Sequence, residues 1–176
     1  MAENESPGGK RGREKEGSFA AYSAGRTTPD IQLNVLLLLV ARRWRSLLDE
    51  KLRPIEQSAA RMEAMSAIFN STELPSQVDI AKRLRIEGPT LTRMLDTLEK
   101  DGLVQRLADA GDRRAKKLRL TQDGVDVLEE IFDVADIYRD RMFEGVSAET
   151  KQMVTDLLQG LLHKLDEGLP GDDENS

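Results

Sequence analysis

The stretch SQVDIAKRLRIEGPTLTRMLDTLEKDGLVQRLADAGDRRAKKLRLT, residues 76–121, decides the fold of this 176-residue chain. It begins with Ser76 followed three residues later by Asp79, a capping-box pattern typical of a helix start. A second helix is predicted after the short segment 85–88, because Pro89 is favoured in a first helical turn. Its apolar residues recur at the i, i+3, i+4, i+7 spacing of one buried face: Leu91, Met94, Leu95 and Leu98.

The remainder of the stretch changes from helical to strand-like periodicity. Residues 103–107 and 116–120 are short strand-like runs, and the second alternates basic residues with leucines. The polar, glycine-containing segment 109–114 between them predicts a turn with a basic tip. Helix, tight turn, helix and basic hairpin together are the layout of a winged helix-turn-helix.

The outer face of the second helix carries small polar and basic residues. Threonine bonds to several bases, and an arginine guanidinium reaches guanine or a phosphate. At the hairpin tip, a guanidinium on a thin loop fits the narrow minor groove, where the DNA potential is most negative. Taken alone, these residues also fit a solvated helix start and a solvated turn. The candidate DNA-contacting residues are Pro89, Thr90, Thr92, Arg93, Thr97, Arg113, Arg114 and Lys116.

Charge is distributed unevenly along the chain, whose net charge is −6. Residues 76–121 carry 11 basic and 7 acidic side chains, whereas residues 122–176 carry 4 basic and 15 acidic ones. A basic segment within an acidic protein is the part that attracts a polyanion. Double-stranded DNA is therefore the predicted partner, although lysine and arginine also solvate many ordinary helical surfaces.

The flanking segments are predicted to be helical. Thr28 followed by Pro29 marks the start of a helix that Pro54 ends. Residues 57–70 and the segments that begin at Thr121 and Ser147 show the apolar spacing of further helices. The predicted fold class is therefore mostly α (α+β), a winged helix-turn-helix between long N- and C-terminal helices.

Composition excludes several functional classes. Cysteine is absent, which removes a disulfide framework, a thiolate zinc site and a thiol redox switch. No nucleophile, general base or glycine-rich phosphate loop is assembled, so no catalytic residue, metal or cofactor is expected and the protein is predicted not to be an enzyme. The longest apolar run, residues 35–41, is far below the ~18 residues of a membrane span. With no secretory signal at its start, the chain is expected to be cytoplasmic, without membrane contact.

Four blocks of the chain resemble, in order, the MarR family of bacterial transcriptional regulators, and they are most similar to its SlyA branch. The blocks are IAKRL (residues 80–84), IEGPTLTR (86–93), LEKDGLV (98–104) and DRRAKKLRLT (112–121), the last being the wing signature of that branch. The resemblance implies a homodimer built from the first and last two helices. It also implies two recognition helices on a palindromic operator, and control, usually repression, that a small-molecule effector relieves.

The composition of the two ends of the chain, together with the resemblance of the region between them, assigns roles to the segments. Residues 1–27 are expected to be a disordered tail and residues 28–56 a dimerisation helix. Residues 57–121 are expected to form the DNA-binding lobe, residues 122–167 the remaining dimerisation helices, and residues 168–176 a second disordered tail.

The same resemblance gives candidate ligand residues. Arg45 corresponds to an arginine that similar regulators use to hold an aromatic carboxylate, and Arg42 lies one turn before it. Two ring-bearing positions of the family's second helix correspond to Met62 and Ser66, which favours a larger aromatic acid or its coenzyme A thioester. Three alternatives remain open: the arginines pair with the acidic last helices, the regulator has no ligand, or the domain binds proteins instead of DNA.

Overall fold

The computed structural model describes Gly25, residues 27–108 and residues 116–168. The described elements confirm a mostly helical winged helix-turn-helix with one two-stranded sheet. In chain order they are α1 (Pro29–Leu52), a 3-10 turn (Arg53–Ile55), α2 (Ala59–Phe69), α3 (Gln77–Leu84), α4 (Gly88–Lys100), β1 (Val104–Ala108), β2 (Lys116–Leu120), α5 (Gln122–Met142) and α6 (Ala148–Glu167).

The described chain divides into two compact units, the first ending at Glu50 and the second beginning at Lys51. The first unit holds most of α1. That helix begins as expected, with Pro29 in its first turn and the Thr28 hydroxyl accepting a hydrogen bond from the backbone N–H of Ile31 at 3.3 Å. Its large apolar residues from 33 to 40 are mostly exposed, at 43–58% of their full area: Leu33, Val35, Leu36, Leu38, Leu39 and Val40.

Polar caps define the helix starts of the second unit. The Ser76 and Asp79 pair forms the predicted capping box, with each side chain bonded to the other residue's backbone N–H. The Thr121 and Ser147 hydroxyls cap α5 and α6, as the sequence predicts. At α2 the cap is Ser58, whose hydroxyl accepts from the backbone N–H of Arg61 at 3.3 Å. Each cap satisfies a backbone donor that has no partner within its helix.

The core of the second unit forms where α2 packs against α3, α4, α5 and β2. Burying these apolar side chains removes them from water and stabilises the fold by about 1.5–3 kcal/mol for each large one. Phe69, the last residue of α2, is 57% exposed, whereas its neighbour Ile68 is buried. The fully buried large side chains of this core are Leu52, Met65, Ile80, Leu91, Leu95, Leu98, Val104, Leu118 and Ile131.

The two strands form an antiparallel hairpin in which Val104 lies opposite Leu120 and Ala108 opposite Lys116. A third segment joins β2 at a single bridge between Ser76 and Lys117. The Pro75 carbonyl also accepts a hydrogen bond from the backbone N–H of Leu118 at 2.8 Å. Pro75 has no backbone N–H with which to extend this pairing.

Candidate nucleic-acid interface

The turn between α3 and α4 is tight because Arg85 adopts the left-handed conformation, with φ of 52°. This lets the backbone N–H of Ile86 bond the Ala81 carbonyl at 3.1 Å, which satisfies an acceptor at the end of α3. The backbone N–H of Thr90 then bonds the Glu87 carbonyl at 3.0 Å, starting α4 only two residues later. Two helices joined by a turn of only three residues, 85–87, have the short connection of a helix-turn-helix.

Helix α4 has one buried and one exposed face. Leu91, Leu95 and Leu98 are completely buried, which fixes the helix against the core. The opposite face exposes Pro89, Thr90, Arg93 and Thr97. The Arg93 guanidinium makes no hydrogen bond or ion pair with any residue in the described ranges, so its charge is available to an external partner.

Threonine hydroxyls on α4 are engaged with the backbone. Thr92 Oγ1 donates to the Gly88 carbonyl at 2.9 Å, and Thr97 Oγ1 donates to the Arg93 carbonyl at 3.1 Å. Thr92 Oγ1 also accepts a hydrogen bond from the Gln77 side-chain amide at the start of α3. The Gln77 contact is absent from the sequence prediction, because it joins residues 15 positions apart on two helices. Together with the bond to Gly88, it engages the Thr92 hydroxyl both as a donor and as an acceptor.

Arg106 on β1 joins the hairpin to α4 through two carboxylates. Its guanidinium contacts Asp96 at 2.7 Å and Glu99 at 2.6 Å, and its backbone N–H donates to Glu99 at 3.3 Å. The Arg106 side chain is only 18% exposed. Burial lowers the pKa of this guanidinium, but the hydrogen bonds to Asp96 and Glu99 outweigh burial and raise the pKa above its ordinary value. Arg106 is therefore a fixed cation, and it is a functional candidate that the sequence patterns did not identify.

The wing is the hairpin of β1, β2 and the loop between them, and the structure describes its two strands. Lys116 is exposed at the first position of β2, and on the same strand Arg119 donates to the Gln105 side chain of β1 at 2.9 Å. The predicted tip residues Arg113 and Arg114 lie outside the described residues. The structure thus positions the hairpin beside α4 and gives an exposed lysine at its rim.

Other arginines of the second unit have structural partners. Arg83 donates to the Ala67 carbonyl at 2.9 Å and to the Ser71 hydroxyl at 3.0 Å, which ties α3 to the end of α2. Arg61 pairs with Asp101 at 2.8 Å, and Arg85 pairs with Asp166 near the end of α6. These contacts distinguish Arg93 and Lys116, which project outward, from arginines that hold elements together.

The four predicted ligand residues lie in different units. Arg42 and Arg45 occupy exposed positions of α1, whereas Met62 and Ser66 are half-buried on α2. A separate apolar groove of about 360 Å³ in the second unit includes neither Met62 nor Ser66. It is lined by Phe69, Asn70, Val125, Leu128, Glu129 and Phe132.

Residues 27–108 and 116–168 contain neither a candidate membrane-spanning helix nor a candidate metal-binding cluster. None of these helices has the length and apolar content needed to cross a membrane. In the same part of the chain, no three His, Cys, Asp or Glu side chains are grouped so that they could hold a metal ion.

Comparison with known proteins places this arrangement among transcriptional regulators. The profile of the MarR family matches residues 58–116, the segment from the cap of α2 to the start of β2. The crystal structure of transcriptional regulator PA3341 shares 33% identity and a TM-score of 0.70, over 77% of this chain and 99% of that one.

Two structural relatives were solved with DNA. A mutant of MarR from E. coli complexed with operator DNA has 27% identity and a TM-score of 0.68, covering 75% of this chain and 94% of that one. The MepR–DNA complex from S. aureus has 25% identity and the same TM-score of 0.68, covering 76% of this chain and 97% of that one.

Proposed function

The chain belongs to the MarR family and is a DNA-binding transcriptional regulator rather than an enzyme, and from this premise we propose that it acts as a homodimeric repressor of the SlyA branch. In this proposal two copies of α4 enter adjacent major grooves of a palindromic operator in the cytoplasm. An aromatic acid or its coenzyme A thioester then releases the dimer from DNA.

The observation that carries the proposal is the exposed face of α4. Pro89, Thr90, Arg93 and Thr97 lie on this face, and the Arg93 guanidinium has no partner among the described residues. The buried leucines behind it hold the helix in place, so its backbone needs little further ordering on binding. A bidentate arginine contact to guanine contributes about 1–3 kcal/mol of discrimination. Arg93 is accordingly proposed as the principal base-reading residue.

The wing is proposed to contact the neighbouring minor groove. Lys116 at the rim of the hairpin is exposed and suits a phosphate contact. Arg113 and Arg114 follow from the sequence, since a loop of this composition presents guanidinium groups to the negative potential of a narrow groove. Arg114 is assigned to the groove and Arg113 to the phosphate backbone.

The homodimer is proposed from the apolar surface of α6. No residue of this 20-residue helix is buried within the chain. An exposed apolar helix face of this length is characteristic of a protein–protein interface. Its exposed large apolar residues follow a helical stripe: Met153, Val154, Leu157, Leu158, Leu162 and Leu165.

Helix α1 has a comparable exposed apolar surface of its own in the first unit. We assign both helices to the contact between two copies of the chain. A dimer with two-fold symmetry would place the two α4 helices about one DNA turn, 34–36 Å, apart.

The candidate effector residues remain those that the family resemblance gives: Arg45 for a carboxylate, with Arg42 beside it in the sequence, and Met62 and Ser66 for a ring. The two arginines are exposed on α1 and the other two residues are half-buried on α2, so all four side chains are accessible at least in part. A ligand that binds one dimer geometry more tightly than another shifts the affinity for DNA. The size of the shift is set by the difference between the ligand's binding free energies for the two geometries. Typical coupling is about 1–3 kcal/mol.

The assay is a fluorescence anisotropy titration of DNA from upstream of the protein's own gene. Arg93→Ala should weaken binding by about 1–3 kcal/mol and relax the preference for one base pair in each half-site. Arg114→Ala should cost a similar amount, and Arg113→Ala less.

The matched control is Arg139→Ala. Arg139 is a partly exposed arginine on α5, outside α4 and the hairpin, and it pairs with Asp136 at 2.5 Å. The Arg139→Ala variant should bind the operator with the affinity of the wild type. Equal losses for Arg93→Ala and Arg139→Ala would show a nonspecific charge effect and reject α4 as the recognition helix.

A further inference from the structure

We infer that Arg106 is a positioning residue for DNA binding, which neutralises two carboxylates of the recognition helix and keeps Asp96 from capturing Arg93. The inference rests on the proposed function, because it takes the exposed face of α4 to be the DNA-contacting surface. Arg106 itself is not proposed to touch DNA, since its side chain is 18% exposed and both sides of its guanidinium are occupied.

The first argument is charge. Asp96 and Glu99 lie on α4, and their side chains are 59% and 42% exposed. Unpaired carboxylates on a helix that approaches phosphates would repel the DNA. Arg106 contacts both at 2.6–2.7 Å, distances typical of charge-assisted hydrogen bonds. One guanidinium thus offsets much of the negative potential of two acids.

The second argument is competition for Arg93. Asp96 follows Arg93 by three positions on one helix, a spacing at which an acid and a base are neighbours. A carboxylate released from Arg106 could therefore pair with the Arg93 guanidinium and withdraw it from the operator. Asp96 instead faces β1, where Arg106 holds it. This explains how an acidic residue can be accommodated one turn from the proposed base-reading arginine.

A purely mechanical role makes a different prediction. If Arg106 served only to attach the hairpin to α4, any variant lacking the ion pairs would bind DNA poorly. If Arg106 acts through charge, removing the two carboxylates should make its guanidinium dispensable. The decisive comparison is therefore between Arg106→Met and the triple variant Arg106→Met/Asp96→Asn/Glu99→Gln.

We expect Arg106→Met to weaken operator binding by about 5- to 50-fold at low salt, as two like charges near phosphates would. The difference in operator affinity between Arg106→Met and wild type should become smaller as the salt concentration rises from about 50 mM to about 200 mM, because screening shortens the range of the repulsion. The operator affinity of the triple variant should return to within about threefold of the wild-type affinity. A triple variant as weak as Arg106→Met would overturn the inference and leave a mechanical role.

Two further measurements keep the test interpretable. The double variant Asp96→Asn/Glu99→Gln retains Arg106, so its result does not depend on whether the fold accepts a methionine at position 106. It should bind the operator more tightly than wild type. Unchanged or weaker binding would reject the charge argument. Arg93→Ala is titrated in parallel. If Arg93→Ala binds like wild type, the assignment of α4 to DNA fails, whereas a weakened Arg93→Ala beside an unrecovered triple variant rejects only the role of Arg106. Circular dichroism melts verify that each variant is folded.

Discussion

Gly124 provides a quantitative test of how α5 packs against the hairpin. It is the third residue of α5 and is buried, and its N–H donates to the capping hydroxyl of Thr121 at 2.9 Å. A Cβ at this position would lie 2.0 Å from the carbonyl oxygen of Leu103 and 2.9 Å from its carbonyl carbon. The same oxygen accepts a hydrogen bond from the backbone N–H of Thr121 at 3.1 Å, so it cannot move independently.

Two opposing effects determine the outcome of Gly124→Ala. Alanine favours a helix over glycine by about 0.5–1 kcal/mol. Against this, a backbone atom must move by about 1 Å to relieve the contact, and overpacking of this kind costs about 1–3 kcal/mol or more. Leu103 is itself buried and leads directly into β1, which places the expected cost at the upper end. The net destabilisation should be about 2 kcal/mol.

Thermal unfolding followed by circular dichroism at fixed protein concentration measures this effect. A loss of about 2 kcal/mol should lower Tm by about 4–8 °C in a chain of this length. Gly88→Ala at the start of α4 is the control, because a Cβ at that position would meet no atom within 4 Å, and its Tm should be unchanged or higher. If Gly124→Ala melts at or above the wild-type temperature, α5 does not pack on the Leu103 carbonyl as described.

The other predictions concern assembly, sensing and acid stability. Leu157→Glu should convert the proposed dimer to a monomer in light scattering, whereas Glu149→Gln on the same helix should not; a dimeric Leu157→Glu would remove α6 from the interface. Arg45→Ala should abolish the release of operator DNA by aromatic acids or their thioesters, about 5–150-fold in the wild type, while ligand-free DNA binding stays nearly intact; a response that persists would place the effector elsewhere. Hydrogen bonds from the Ser76 side chain and backbone hold the pKa of Asp79 below its ordinary value of 3.8, so the ionised carboxylate stabilises the fold above that pH and loses this contribution as the pH falls below it. The Tm difference between wild type and Asp79→Asn should therefore shrink in acid, and a constant difference would contradict the capping role.

The fold was predictable because its signals are local. The capping hydroxyls of Thr28, Ser76, Thr121 and Ser147 each act within three residues, and the leucine stripe of α4 depends only on helical spacing. The hairpin follows from a change of period over a few residues. Such features are present in any short window of the sequence, so their prediction needs no knowledge of the tertiary structure.

The contacts that shape the proposed interface were not predictable in the same way. The Gln77 bond to Thr92 and the approach of Gly124 to Leu103 join separate elements, and each depends on how those elements pack. Arg106 looked like an ordinary basic residue of a strand, because its pairing with Asp96 and Glu99 requires β1 to lie beside α4. Sequence patterns identify the helix that faces outward, and packing determines which of its charges remain available.

The central claim, that α4 lies in the major groove of each half-site, can be tested by targeted DNA cleavage. The chain contains no cysteine, so Lys100→Cys gives a single attachment point for an iron chelate at the exposed end of α4. Glu144→Cys, in the exposed turn after α5, provides the control. With the operator bound, the α4 label should cut two symmetric patches whose centres lie about 10 base pairs apart or a multiple of that spacing, and the control label should cut neither. Cleavage confined to the control label, or none from α4 on a fully bound operator, would contradict the account.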